Sequence, residues 1–113
     1  MVMSHREENL TGIPISLEDH VDYAEGSVVS KTLLQKEIGS LTLFSFDSGQ
    51  GLSEHTSPFD AVIYVLDGKA EITIGGEQKP VQAGEMLIMP AKVPHALHAT
   101  QRFKMLLIMI RGE

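Results

Sequence analysis

The run Ala61-Val62-Ile63-Tyr64-Val65-Leu66-Asp67-Gly68-Lys69-Ala70-Glu71-Ile72-Thr73-Ile74-Gly75-Gly76 decides the fold. Its first six residues are bulky, apolar and rich in β-branching, which suits a strand covered on both faces. Asp67-Gly68 is a strong hairpin dipeptide. Lys69 to Ile74 alternates polar with apolar residues, as a half-buried return strand does. Gly75-Gly76 then turns the chain into another strand, Glu77 to Val81. The reading is a strand, a hairpin, a strand, and a second hairpin.

The same grammar extends outward. Downstream, Ala83-Gly84-Glu85 is a turn, Met86 to Met89 a short strand and Pro90 to Pro94 a loop. His95 to Thr100 and Phe103 to Ile110 read as the last strands. Met105 to Ile110 is apolar on both faces, so one side faces a barrel interior and the other a second layer or a subunit interface. Upstream, Val28 to Glu37 and Leu41 to Phe46 read as strands around the turn signal Gly39-Ser40, and Asp47 to Gly51 as a loop. No segment after residue 26 holds a 3.6-residue period. Eight or more short strands at this spacing predict an all-β sandwich or barrel. Residues 1–15 read as loosely ordered. Ser16-Leu17-Glu18-Asp19 predicts a short helix with Ser16 as its N-cap, closed by Gly26. The expected organisation is an N-terminal helical arm over 1–26 and one barrel domain over 27–113.

The totals narrow the function classes. The chain has 113 residues, 42% of them apolar and 21% charged, enough for one packed domain. A net charge of -6 opposes binding to phosphate backbones or anionic lipid, so neither nucleic acid nor a membrane is an expected partner. The absence of cysteine removes disulfides, thiolate nucleophiles and cysteine-based zinc sites. The polar start Met1 to Glu8 lacks the apolar core of a signal peptide, and the expected location is the cytoplasm. There is no P-loop, no dinucleotide glycine fingerprint and no Gly-x-Ser-x-Gly elbow.

Two glycine-led stretches carry a further spacing. In the first, Gly49 is followed after five residues by His55, then Ser57, then Ala61 after three, then Gly68 after six. In the second, Gly84 is followed after five residues by Pro90-Ala91-Lys92, then His95 after two and Ala99 after three. These frames resemble the two motifs of the cupin superfamily, in particular its small single-domain bacterial members. The resemblance implies a double-stranded β-helix, or jelly roll. It also implies inward-facing metal ligands, usually three histidines and one glutamate or glutamine, and a homodimer.

Residue by residue, only half of that ligand set is present. The first and last histidines are His55 and His95. The second histidine position holds Ser57 and the carboxylate position Ala61. Asp60 is adjacent, but one step along a strand reverses the face, so it substitutes only if a bulge re-aims it. His98, three residues past His95, has the same difficulty. A divalent metal (Zn, Fe, Mn or Ni) on His55 and His95 would be water-completed and weak. The preferred expectation is therefore a barrel pocket lined by His55, Ser57, Ala61, His95, Met89 and Met105 that binds a small molecule. Two alternatives stay open: a metal-dependent enzyme of dioxygenase or isomerase type, and a structural scaffold. Met86, Met89, Met105 and Met109 read as strand-borne core filling. Tyr64 should face away from the interior if Ala61 faces in.

Overall fold

The computed structural model describes residues 2–4, as backbone, and 9–112. Among them are nine strands and a single 3-10 turn: β1 (Val2–Ser4), η1 (Glu18–His20), β2 (Ser27–Lys36), β3 (Gly39–Phe46), β4 (Gly51–His55), β5 (Ala61–Ile74), β6 (Glu77–Gln82), β7 (Met86–Met89), β8 (His95–His98) and β9 (Phe103–Ile110). The larger sheet runs β1-β2-β3-β9-β5-β7 and the smaller β4-β8-β5-β6. All pairings are antiparallel except β1 with β2.

The deciding run behaves differently from its reading. Asp67-Gly68 does not reverse the chain. β5 passes straight through it as one strand of 14 residues. Up to Gly68 it pairs with β9, and from Lys69 on with β6. The register slips between Val65 and Asp67, a bulge, and Gly68 has φ of 74°. A left-handed residue beside a bulge bends a strand without ending it. The dipeptide's freedom is thus used to carry one strand from sheet to sheet. Gly75 and Gly76, at φ of 56° and 83°, do make the expected hairpin into β6.

The packing follows from alternation along these strands. Rows of paired residues on the inner face of the larger sheet run Val28–Phe46–Phe103, then Ser30–Phe44–Met105–Val65, then Thr32–Thr42–Leu107–Ile63–Leu87, then Met109–Ala61–Met89. Ala70, Ile72, Val81 and Leu97 of the smaller sheet join the same core. The rings of Phe46 and Phe103 stack at 4.5 Å between centroids, and Phe44 continues the stack.

The predicted helical arm is not formed. Only the turn Glu18–His20 is helical, and Leu17, not Ser16, precedes it without any side-chain cap. Of the segment read as loosely ordered, residues 1 and 5–8 lie outside the described residues, 2–4 form β1, and 9–15 hold no helix or strand. Residues 10–27 instead form a strap over the outer face of the larger sheet. Val21 is buried with Leu33 and Leu43, and Leu10, Ile15 and Leu17 pack around them. Polar bonds tie the strap down. Lys104 Nζ donates to the Glu18 carbonyl at 2.6 Å, Lys31 Nζ to that of His20 at 2.8 Å and Ser45 Oγ to that of Asp22 at 2.8 Å. Tyr23 Oη donates to Asp67 Oδ2 at 2.6 Å, with the Arg102 guanidinium 4.6 Å above its ring. An extended strap lets its carbonyls reach buried cations such as Lys104, which a helix of the same length would keep in its own ladder. No helix among the described residues is long and apolar enough to cross a membrane.

Gly68 can be tested directly. A Cβ there would collide with the Arg102 carbonyl oxygen, on a backbone already left-handed. Gly68→Ala is expected to lower the free energy of unfolding by more than about 2 kcal/mol, measured by urea denaturation.

Candidate functional site

Two connections form the rim of the barrel. One runs from His55, the end of β4, to Ala61, the start of β5. The other runs from Met89, the end of β7, to His95, the start of β8. They are bonded to each other. Lys92 N donates to the Ser57 carbonyl at 2.7 Å, and Ala91 N to Asp60 Oδ1 at 2.8 Å. Phe59 N donates to Ser57 Oγ at 3.2 Å, tightening the first connection.

His55 and His95 are register partners across β4 and β8. Their rings lie 4.4 Å apart between centroids, edge to face at 69°. Each ring is oriented by the carbonyl two residues before it. Nδ1 of His55 meets the Ser53 oxygen at 2.7 Å, and Nδ1 of His95 the Val93 oxygen at 3.2 Å. A carbonyl can only accept, so the hydrogen sits on Nδ1 and the lone pair on Nε2 in both neutral rings. His95 is buried, at 4% exposure, whereas His55 is open to solvent. Burial holds the His95 pKa below the ordinary imidazole value. Charge on His55 pushes it the same way, against the opposing pull of the Val93 carbonyl.

The other expected residues fall around this pair unevenly. Ala61 is buried and flanked in register by Met89 on one side and Met109 on the other. Ser57 is half-buried in the rim. Met105 is buried two rungs deeper, against Phe44 and Val65. Asp60 is exposed and bonded to the neighbouring loop. His98 is exposed, while His95 and Leu97 of the same strand are buried. Met86 is 58% exposed on the outer face, away from the core its strand was expected to fill.

This donor set does not fit the resident metal that the cupin resemblance implies. A divalent site takes three or four protein ligands at about 2.0–2.2 Å. The Ser57 hydroxyl is engaged by Phe59 N and the Asp60 carboxylate by Ala91 N. Ala61 has no donor atom, and His98 is on the opposite face of its strand. Among the described residues no group of three or more His, Cys, Asp and Glu side chains could hold a metal ion.

Two features escaped the sequence reading. Leu52, Ile74, Leu87 and Leu107 are half-buried against the core and add apolar wall. Alternation from Met105 marks Leu107 and Met109 as the same face, so that signal was present. Lys92 adopts φ of 67°, the one non-glycine among the described residues in the left-handed region. The turn thus sets a backbone requirement that glycine would meet freely and that this chain meets at a cost.

Comparison with known proteins agrees with this architecture. Residues 42–111 match the family described as Cupin domain, and the chain belongs to that family. A conserved Streptococcus pyogenes protein of unknown function superposes with a TM-score of 0.85 at 37% identity, covering 94% of this chain and 96% of its own. A cupin superfamily protein from Desulfitobacterium hafniense gives a TM-score of 0.86 at 31% identity, covering 93% and 97%. An uncharacterised Streptomyces coelicolor protein is 36% identical over 59 residues, which is 52% of this chain and 56% of that protein's length.

Two outcomes are expected. Lys92→Gly should relieve the left-handed strain and raise the free energy of unfolding by about 0.5–1 kcal/mol in urea denaturation. For His95, the folded state binds its proton less readily than the unfolded chain does. As pH falls below about 6.5 the unfolded state therefore takes up more protons and stability declines. His95→Gln should flatten the pH dependence of stability between pH 7 and 5, read from denaturation midpoints.

Proposed function

We propose that this chain is a binding protein for a small organic molecule held at the rim of the barrel, without a resident metal. The observation that carries this reading is the imidazole pair, 4.4 Å apart, with both Nδ1–H groups spent on backbone carbonyls. That leaves two preset Nε2 acceptors, with Ile74 in register beside His95 and Leu52, Leu87, Leu107 and Met109 half-buried against the barrel core. Pockets that bind small molecules combine apolar walls with a few placed polar groups. The matching ligand presents one or two hydrogen-bond donors on an apolar body. Depression of the His95 pKa keeps its Nε2 an acceptor at neutral pH. The rival, a divalent metal on His55 and His95 serving an enzyme, requires a further protein donor, and Ser57, Asp60, Ala61 and His98 are each otherwise disposed.

The test uses simple diols, primary amides and amines as probes, followed by amide chemical shifts. Shifts are expected to cluster at residues 52–61, 87–95 and 105–109. His55→Ala or His95→Ala should weaken binding about two- to tenfold, the worth of one hydrogen bond. Metal should be sub-stoichiometric in protein purified without chelator. About one retained metal per chain after dialysis, or shifts unchanged in the double variant, overturns the reading.

A further inference from the structure

The strap does not lie flat on the sheet along its whole length. The carbonyls of Glu18, His20 and Asp22 are tied to strand side chains. Upstream the strap bonds to itself, Ile13 N to the Leu10 carbonyl at 3.0 Å and Thr11 N to Asn9 Oδ1 at 3.2 Å. Between this stretch and the strands lies a groove of about 870 Å³. Leu10, Ile15 and Leu17 form its strap side, and Leu33, Leu34 and Leu41 its sheet side. Both Leu33 and Leu34 reach it because the register of β2 shifts between Thr32 and Leu34, and a bulge sets two successive residues toward one side. Leu34 is 44% exposed on the floor. Ile13, in the strap, and Ile38, in the turn after β2, are 57% and 75% exposed.

A single charged side chain lines the groove, that of Lys36, and it is exposed. The register row Lys36–Gly39–Ile110 follows Leu34–Leu41–Ile108 on the same face. Ile110 N is bonded to the Asp60 carbonyl, so Lys36 marks the end of the groove nearest the barrel rim. Arg111 Nη1 donates to the Lys36 carbonyl at 3.4 Å, which brings a guanidinium to the same end. Glu37, next in the chain, is exposed in the turn. Residues 9–17 of the strap carry no charge. In a chain of net charge -6, an apolar groove that ends in two cations is complementary to an amphipathic anion.

We infer that the groove binds a free long-chain carboxylic acid, its alkyl chain along the leucines and its carboxylate at Lys36 and Arg111. The volume lies within the range of about 300–1,000 Å³ found for ligand sites. An unbranched hydrocarbon fills such a groove without burying polar groups that leucine walls leave unpaired, as a peptide would. A compact carboxylate suits the head position, because ammonium and guanidinium groups both donate charge-assisted hydrogen bonds to it. The site is on the opposite face of the sheet from His55 and His95 and does not depend on what the rim binds.

The test is titration with octanoate, decanoate and dodecanoate below their micellar concentrations, read by calorimetry and by amide chemical shifts. Affinity should rise about fourfold for each added methylene, the worth of taking one out of water. Shifts should cluster at residues 9–17 and 33–41. Lys36→Gln should weaken dodecanoate about three- to fivefold and leave dodecanol unchanged. Leu34→Asp, folded by circular dichroism, should weaken dodecanoate about tenfold or more. His55→Ala should change none of this. Four results each overturn the inference: affinity independent of chain length, shifts at 52–61 instead of the groove, no saturable binding (as a groove filled by a second copy would give), or capture of phosphatidylglycerol vesicles without binding of free dodecanoate.

Discussion

The fold depends on a single strand serving two sheets. β5 pairs with β9 and β7 through its first half and with β8 and β6 through its second. The junction is Gly68, left-handed and pressed against the Arg102 carbonyl. A side chain there would force either strand or neighbour aside. With it absent, the bulge at Val65 and Asp67 bends the strand and lets the two sheets face one interior. Asp67 adds a second duty at the same corner by accepting the Tyr23 hydroxyl, so the bend also anchors the strap.

At the rim, Ser57, at a motif ligand position, and Asp60, next to another, serve as part of the scaffold. Ser57 caps its own loop through Phe59 N, and its carbonyl holds Lys92. Asp60 holds Ala91. These bonds lock the two connections that set His55 and His95 side by side. The imidazoles are in turn oriented by carbonyls of their own segments, which is how ligating histidines are usually preset by outer partners. The two imidazoles are thus held in a defined orientation by backbone carbonyls, with His98 on the other face of its strand.

The outer face shows the same economy. Its apolar residues cannot all be covered by one short strap. Bonds from Lys104, Lys31 and Ser45 to strap carbonyls determine where the strap lies, and therefore which leucines are buried and which line the groove. The two-sided apolar character of β9 was legible early, since Met105 to Ile110 admits no solvent face. Which side meets the core was not.

By itself the sequence determined the strand-rich architecture and the presence of only two histidines among the four motif positions. Those follow from alternation, from turn chemistry and from the identities at Ser57 and Ala61, all local properties. The tertiary structure alone decided that Asp67-Gly68 bends a strand instead of closing a hairpin, because that depends on whether β9 or Lys69 to Ile74 is available as the pairing partner. It also decided that residues 16–26 lie extended rather than helical, because the bonds from Lys31, Ser45 and Lys104 that hold them come from strands distant in sequence. Long-range pairing outweighs local propensity wherever the backbone groups of a short segment find partners outside it.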